Sequence, residues 1–416
     1  MMNHVNRTDM SRREWCVRWA ALLGGVAAWR TGMADEPMSA AGAQDWPMVR
    51  GDRSASGVAW AMLPEKLRRI WTSENRDDGF AQTPVIGDGR LFAGSVMGDL
   101  VALDAATGEP LWRIPTELGF LASPTVATSA EWGGDGFVVA GDTAGVVRRY
   151  DAATGEVAWK FTTDGEISSA PVLLRAVDHP GLECDVVVIG SQDCFLYALA
   201  VADGRVVWKY ENPDQIRCFP TVAANRILIA GCDGVLHQIG ITNGESLAQT
   251  PLDAPTGNAP AVLGDRIFVG TEGRQFLAID LRRAERVGEL LPVSNENSSK
   301  KTGGESGLPT SIRCSAAVRD GLGVVATQNR LVYGFDPATM AILWEASLRG
   351  RIEASPVLCG DRVYIGGMDG RLYVLGAADG QLIETHEPGG RIRAGVAIAT
   401  DRLYVGNDAG DLFCFG

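Results

Sequence analysis

Residues 102–112 read Ala-Leu-Asp-Ala-Ala-Thr-Gly-Glu-Pro-Leu-Trp, and residues 150–159 read Tyr-Asp-Ala-Ala-Thr-Gly-Glu-Val-Ala-Trp. In both stretches an apolar run ends at an aspartate, a Thr-Gly pair follows, and a tryptophan stands eight residues after the aspartate. A Thr-Gly pair between two short apolar runs is typical of a tight turn between strands. Trp208 and Trp344 keep the same distance from Ala200 and Asp336. The motif therefore predicts a repeated pair of β-strands whose second member carries a tryptophan.

The chain after residue 80 repeats a unit of about 40 residues. Four of the seven spacings between successive openings are 40 residues, and the longer spacings are confined to three insertions. Four short strands and four turns fill a repeat of this length, and one such sheet cannot bury its own faces. The eight openings are Pro84, Pro124, Pro171, Pro220, Pro260, Ala316, Pro356 and Val396. The sequence predicts an all-β protein, an eight-bladed β-propeller of four-stranded antiparallel blades over residues 67–416.

The last copy ends at Gly416 and lacks the fourth strand with its tryptophan position. A matching run, Leu67-Arg68-Arg69-Ile70-Trp71, precedes the first copy. We therefore predict that this N-terminal strand completes the last blade and closes the circle, which leaves no free sheet edge. The tryptophans expected to dock one blade on the next are Trp71, Trp112, Trp159, Trp208 and Trp344.

The first 34 residues predict an export signal. Arg12-Arg13 precedes an apolar stretch, Trp19 to Trp29, which is about half the length that a bilayer requires, and Gly32-Met33-Ala34 offers small residues for cleavage after Ala34. The pattern resembles a twin-arginine signal; export by the general secretory route, and an incidental arginine pair before a buried helix, are the alternatives. Met10 is an alternative start. Residues 35–66 are interpreted as a lead-in, and the mature chain as a soluble protein of the periplasm or another exported compartment.

Charge and cysteine content narrow the function classes. Acidic residues outnumber basic ones by 51 to 38, a net charge of −13, which disfavours nucleic acid as a partner. The seven cysteines after residue 34 show no metal-ligand spacing, and an odd number cannot all pair within one chain. We interpret them as small buried apolar side chains: Cys184, Cys194, Cys218, Cys232, Cys314, Cys359 and Cys414. No metal ligands are predicted.

Propeller topology assigns the loops to two faces. With strands A to D counted outward from the axis, the D-to-A connections and B–C turns share one face, and the A–B and C–D turns share the other. The residue three places before each opening begins the approach to strand A and is expected at the mouth of the central channel. These eight residues are Ala81, Leu121, Ser168, Arg217, Gly257, Arg313, Glu353 and Arg393. Arg217, Arg313 and Arg393 with Glu353 suggest an anion-binding mouth; solvated rim charges are the alternative.

The docking motif resembles the tryptophan-docking repeat of pyrroloquinoline-quinone (PQQ)-like propellers, and Asp45-Trp46-Pro47-Met48-Val49-Arg50-Gly51 resembles the usual lead-in to such domains in exported bacterial proteins. The resemblance covers residues 45–416 and implies the fold. Its implication for function is divided, because the family includes BamB-like non-catalytic proteins and quinoprotein alcohol dehydrogenases. The resemblance also implies the cofactors of the enzymatic branch, PQQ and Ca²⁺.

Three functions follow from this sequence. The first is a non-catalytic binding or scaffold module, expected to be a monomer, with a protein partner in the cell envelope. The second is a PQQ- and Ca²⁺-dependent oxidoreductase, but no two cysteines are adjacent and no ligand motif can be matched residue by residue. The Asp233-Gly234 and Asp369-Gly370 turns offer one carboxylate each and predict hairpin turns. The third is a hydrolase, for which His179, His237 and His386 lie near no nucleophile motif.

Overall fold

The computed structural model describes residues 45–74, 78–291 and 307–416. The predicted export signal and residues 292–306 of the longest insertion lie outside these ranges. The described chain contains eight sheets, each with a ladder of four antiparallel strands, which follow in sequence order in seven of them. In one of these seven the two-residue strand Val58–Ala59 adds a fifth strand, parallel to Val357–Cys359. The predicted eight-bladed propeller is therefore confirmed.

The strands of each blade are short because a strand of about five residues already spans the wall of the propeller. Blade 1 consists of Val85–Gly87, Arg90–Gly94, Asp99–Asp104 and Pro110–Pro115, and blade 2 of Thr125–Ala127, Phe137–Gly141, Val146–Asp151 and Val157–Thr162. Blade 3 consists of Val172–Leu174, Val186–Gly190, Phe195–Ala200 and Val206–Glu211, and blade 4 of Thr221–Ala223, Arg226–Ala230, Val235–Gly240 and Ser246–Pro251. Blade 5 consists of Ala261–Leu263, Arg266–Gly270, Phe276–Asp280 and Glu285–Glu289. Blade 6 consists of Ala317–Arg319, Leu322–Ala326, Leu331–Phe335 and Ile342–Ser347, and blade 7 of Val357–Cys359, Arg362–Gly366, Leu372–Gly376 and Leu382–His386. Blade 8 consists of Ala397–Ala399, Arg402–Gly406, Asp411–Phe415 and the N-terminal strand Arg69–Glu74.

The first strand of each blade, strand A, lies nearest the axis, since strands A of neighbouring blades contact one another. Strands A and B are mostly buried, although Val222 and Ala223 in strand A of blade 4 are half-buried, whereas strand D is exposed at about every other residue. The core therefore lies between neighbouring blades, where the faces of adjacent sheets pack together.

The N-terminal strand closes the circle as predicted. Arg69–Glu74 pairs antiparallel with Asp411–Phe415, and Trp71 lies opposite Cys414. The backbone of Arg68 both donates to and accepts from that of Gly416. Because this pairing joins the two ends of the described chain, blade 8 depends on residues more than 300 positions apart.

Each predicted tryptophan docks on the next blade, at a contact that we call a seam. The indole N–H donates to a backbone carbonyl of the following blade, as from Trp71 to Ala105 at 3.1 Å and from Trp159 to Val201 at 2.8 Å. The ring lies against the glycine of that blade's C–D turn: a Cβ on Gly108, at φ +77°, would stand 2.6 Å from the Trp71 ring. Four of these tryptophans are buried, and Trp112 is half-buried. Trp112 is therefore the least buried of the five docking tryptophans.

The lead-in does not stand apart from the propeller: residues 45–63 run across the channel at the end where the A–B turns lie. Trp46 exchanges two 2.9 Å backbone hydrogen bonds with Ile86 of blade 1. Carbonyls of this segment then accept the backbone N–H of one strand A residue after another, in blades 2, 4, 5, 6 and 7: Val126, Val222, Val262, Val318 and Leu358. We call residues 45–63 the plug, since they close one end of the channel.

A buried arginine fixes the plug. Arg50 donates from Nη2 to the carbonyl of Ala316 at 2.8 Å, and burial lowers its pKa to about 10. Gly57, at φ +64°, lies against it so closely that a Cβ would stand 1.9 Å from the guanidinium. The plug therefore requires glycine at this position.

The two shorter insertions, residues 128–136 and 175–185, join strands A and B and lie on the face of the A–B turns. They contain the only helical turns of the described chain, Ser129–Trp132 and Ala176–Asp178. No helix in the described ranges is long and apolar enough to cross a membrane. The seven cysteines of the described ranges are free thiols; four are buried, while Cys184, Cys194 and Cys232 are half-buried.

Candidate functional site

A well of about 970 Å³ opens on the face that carries the D-to-A connections and the B–C turns. All eight residues predicted at the channel mouth line it, and we call them the rim. A second layer of lining residues follows, each one residue before the start of a repeat. This layer includes Ser123, Ala170, Ser315, Ser355 and Gly395. Val49 of the plug also lines the well. The plug therefore converts a channel into a blind well with small polar walls.

The rim charges differ from one side of the well to the other. Arg393 donates to Glu353 at 2.8 Å and lies 4.0 Å from Asp408. The Arg393 guanidinium thus has a close carboxylate on the neighbouring blade, which offsets its charge. This part of the rim is an internal ion pair.

Arg217 and Arg313 have weaker partners. Arg217 donates from Nε and Nη2 to the neutral Oε1 of Gln215, at 3.2 and 2.7 Å. Arg313 lies 3.5 Å from Glu272, and both side chains are about half exposed, at 56% and 47%. Exposed ion pairs of this kind contribute little stability. The two guanidiniums thus retain capacity for an external anion.

Gly257 stands between these arginines on the rim. A Cβ placed there would meet no atom within 4 Å, and its φ lies outside the positive region. The rim therefore has an open gap at blade 5, with a guanidinium on each side. Sequence reasoning named the arginines but attached no role to this glycine.

The opposite side of the mouth is apolar and acidic. Val96 and Met97 lie in the B–C turn of blade 1, and Leu118 and Leu121 in the next D-to-A connection, with exposures of 39, 73, 50 and 38%. We call these four residues the apolar patch. The two loops are joined by backbone hydrogen bonds from Thr116 to Gly98 at 2.6 Å and from Phe120 to Ser95 at 2.8 Å. The sequence signal was present, since the Val96-Met97 pair makes this B–C turn more apolar than its counterparts in the other copies.

The loops around the apolar patch carry one sign of charge. Between residues 78 and 194, the described D-to-A connections and B–C turns contain Asp and Glu but no Lys or Arg. The acidic residues are Asp78, Glu117, Asp142, Asp164, Glu166 and Asp193, and of these Asp142 pairs with Arg148 of the adjoining strand. This sector of the face is therefore negative, whereas the arginines lie in the loops of blades 4 to 8.

The cysteines offer no activated nucleophile at the well. Burial raises the pKa of Cys218 to about 12 and that of Cys314 to about 11. Reactive cysteines need a lowered pKa, because the thiolate is the nucleophile. The half-buried thiols of Cys194 and Cys232, both in B–C turns, also have a raised pKa from partial burial.

The histidines make structural contacts. His237 is buried between Asp233, 2.8 Å from Nε2, and the Tyr210 hydroxyl, 3.0 Å from Nδ1. His179 lies 3.0 Å from Asn225 on the opposite face from the well, and His386 contacts Glu384 on an outer strand. None of the three lines the well.

The residues present do not fit the calcium site that a quinoprotein requires. Calcium takes six to eight oxygen ligands. Within the described ranges, no three side chains of His, Cys, Asp or Glu are grouped so as to hold a metal ion. The acidic residues that line the well are engaged elsewhere: Glu353 accepts from Arg393, and Asp408 and Asp78 accept the backbone N–H of Arg391 and Met97.

Comparison with known proteins assigns the family. The family model described as outer membrane protein assembly factor BamB matches residues 57–218, 212–297 and 288–414. A protein of that name from Burkholderia pseudomallei (strain K96243) is 27% identical over 337 residues, which are 76% of this chain and 79% of that protein.

Solved structures agree on the fold. BamB from Moraxella catarrhalis superposes with a TM-score of 0.65 at 18% identity, over 84% of this chain and 97% of that one. Quinohemoprotein alcohol dehydrogenase from Comamonas testosteroni superposes with a TM-score of 0.70 at 15% identity, over 89% and 80%. At such identities these likenesses show the propeller alone. Because the family model spans most of the propeller, the chain belongs to the BamB family of PQQ-like repeat propellers.

Proposed function

We propose that this protein is an exported, non-catalytic scaffold that binds another protein of the cell envelope on the face that carries the well. The observation that carries the proposal is the apolar patch. Exposed aliphatic side chains that lie together beside a concave site are typical of protein-binding surfaces. The relatives are outer membrane protein assembly factors by name, so we place the partner in that machinery.

The charge around the apolar patch specifies the partner further. Like charges across an interface cost several kcal/mol, and complementary charges accelerate and orient association. A negative sector with an apolar centre therefore favours a partner segment that presents apolar side chains beside Lys or Arg. The arginines of blades 4 to 8 lie around the rest of the mouth and would repel such a segment, which orients it on the face.

Site-specific photo-crosslinking in the native cell envelope tests the proposal. A photoreactive residue at Met97 is compared with one at Val177, which is 72% exposed on the opposite face. We expect a discrete adduct with an envelope protein from position 97 alone, and its loss when Leu118→Asp is added. Adducts of equal yield from both positions, or an adduct that survives Leu118→Asp, would contradict the proposal.

The quinoprotein alternative has its own test. The mature protein is incubated with PQQ and Ca²⁺, and its absorbance spectrum and dye-linked alcohol oxidation are measured. We expect neither a saturable cofactor spectrum nor turnover, because the described residues show no group of His, Cys, Asp or Glu side chains that could hold the calcium ion. A saturable spectrum with turnover would replace the scaffold proposal.

A further inference from the structure

The gap at blade 5 is the most open part of the rim. Arg217, Gly257 and Arg313 occupy equivalent positions on blades 4, 5 and 6, so the glycine leaves a space between two cations in the wall of the well. Every other position of the rim carries at least a methyl group. The wall is thus indented between the Arg217 and Arg313 side chains.

The two guanidiniums have donors to spare. A guanidinium carries five N–H groups in a planar fork that matches a carboxylate. In the described contacts Arg217 spends two of them on an amide oxygen, and Arg313 meets Glu272 only at 3.5 Å. By contrast, Arg393 has a carboxylate oxygen of Glu353 at 2.8 Å. This ion pair between blades 7 and 8 shows the kind of carboxylate contact that is absent at the gap.

The base of the gap is held in place by a buried amide. Asn258 donates from Nδ2 to the carbonyls of Gly270 at 3.1 Å and Ile312 at 3.2 Å, and thereby ties blade 5 to the residue before Arg313. Its Oδ1 is buried without a partner in the described structure. A carboxylate has no hydrogen to donate, so this oxygen is not a contact of the proposed ligand. The contribution of Asn258 to the site is the pair of bonds from Nδ2, which hold blade 5 against the residue before Arg313.

The remainder of the well suits an organic body behind the anionic group. Phe219 of blade 4, two residues after Arg217, is the single aromatic side chain among the lining residues, and Val49 forms part of the lining from the plug. A volume of about 970 Å³ is ample for a small molecule. Apolar contact on one side and two cations on the other select an amphipathic acid.

We propose that the well binds a small organic acid, whose carboxylate occupies the gap over Gly257 between Arg217 and Arg313. The gap lies across the well from the apolar patch, of which Val96, Met97 and Leu121 line the same well. The site stands independently of the protein-binding function, because a failure here leaves the Met97 crosslink unaffected.

Titration calorimetry with a fixed set of probes tests the proposal on the mature protein. The probes are benzoate, phthalate and citrate, with benzamide as the neutral match of benzoate and inorganic phosphate as the non-carboxylate anion. We expect saturable binding of at least one carboxylate, and binding of benzamide and of phosphate at least tenfold weaker than that of the carboxylate. Absence of saturable binding by all three acids, or equal binding of phosphate, would overturn the assignment.

Variants of Gly257 separate the site from the fold. Because a side chain at residue 257 meets open space, Gly257→Glu and Gly257→Ala are both expected to keep the wild-type melting temperature. Gly257→Glu places its own carboxylate between the arginines and should abolish binding, while Gly257→Ala should change the affinity less than threefold. Equal binding by wild type and Gly257→Glu would overturn the proposal.

The arginines are tested against an arginine elsewhere. The Arg217→Ala, Arg313→Ala double variant should weaken binding at least tenfold, and Arg282→Ala, on the exposed C–D turn of blade 5, should leave it unchanged. If both variants bind as the wild type does, the rim arginines are solvated charges and the proposal fails.

Discussion

At the seam between blades 8 and 1, Trp71 lies on Gly108; at the seam between blades 5 and 6, Gly288 lies beneath Met340. Gly288 takes the tryptophan position of the outer strand, and a Cβ on it would stand 2.8 Å from Cγ of Met340. Met340 takes the glycine position of the C–D turn and keeps its left-handed backbone, at φ +62°. The large and small partners have exchanged places. The comparison teaches that the bulky side chain of a seam can come from the following blade instead of the preceding one.

The seam between blades 8 and 1 carries an additional task. Trp71 belongs to the strand that closes the circle, and both its indole and the Tyr404 hydroxyl donate to the carbonyl of Ala105. At the seam between blades 5 and 6, by contrast, the chain itself connects the blades. Loss of packing should therefore cost more at Trp71.

The largest effect is expected from Trp71→Ala. Removal of a buried tryptophan typically costs about 3 to 5 kcal/mol, from lost transfer free energy and the cavity left behind. We expect a loss of that size in the free energy of unfolding, measured by urea denaturation. Leu343→Ala, which truncates an exposed side chain on another outer strand, should change it by less than about 0.5 kcal/mol. Equal effects of the two variants would show that the seam does not hold the circle closed.

An intermediate effect is expected from restoring the usual arrangement at the seam between blades 5 and 6. Gly288→Trp alone should cost about 1 to 3 kcal/mol, because the ring collides with Met340. Met340→Gly alone should also destabilise, since it empties the contact although it relieves a left-handed non-glycine backbone.

The double variant, Gly288→Trp with Met340→Gly, should recover at least about 1 kcal/mol relative to the sum of the single changes. The recovery is expected to be incomplete, because the carbonyl of Pro337 at this turn already accepts from Arg266 at 2.8 Å. Urea midpoints of the four proteins give the coupling free energy. Strict additivity would contradict the volume exchange.

The smallest effect on stability is expected from a change at Asp104, the aspartate of the C–D turn that contacts Trp71. Asp104 Oδ1 accepts from the backbone N–H of Thr107 at 2.8 Å and of Ala106 at 3.0 Å, and these bonds lower the pKa of Asp104 below its usual 3.8. A carboxyl group with a lowered folded-state pKa stabilises the fold above its unfolded-state pKa. That contribution is lost as the pH falls through the folded-state value.

Asp104→Asn keeps an acceptor but cannot titrate, so we expect its stability to fall less than that of the wild type between pH 5 and pH 3. Urea midpoints at the two pH values measure the difference. In the turn of blade 7, Gly376 takes the position of this aspartate. A substitution of Gly376 should therefore leave the pH dependence of stability unchanged, which provides the internal contrast. An identical pH dependence for wild type and Asp104→Asn would refute the role of this carboxylate.

Periodicity made much of the fold predictable. The Asp-to-Trp spacing and the 40-residue repeat identified eight blades, and Leu67 to Trp71 was recognisable as the missing strand because it matches the others. Position within the repeat also placed the rim, since residues three before each opening occupy equivalent points around the axis. The exchange of Gly288 and Met340 could not be predicted, because neither residue is unusual by itself and their contact lies between two blades.

The plug and the gap could not be predicted either, because they too depend on contacts between distant segments. Residues 45–63 bind strands A through their backbone, and main-chain hydrogen bonds leave no pattern of side-chain types. The difference between Arg393, paired with Glu353, and Arg217, bonded to an amide, depends on which side chains meet across blades. A glycine gap has no sequence signal of its own.

The sequence by itself determined the number of blades, the place of the tryptophans, the strand that closes the circle and the family, because these follow from regular spacing along the chain. Only the tertiary structure decided that the channel is a blind well, that Arg393 has a carboxylate at 2.8 Å whereas Arg217 contacts an amide and Arg313 lies 3.5 Å from Glu272, and that an apolar patch lies within a negative sector. The physical reason is that these properties arise between segments far apart in sequence, where packing and electrostatics are set by distance in space.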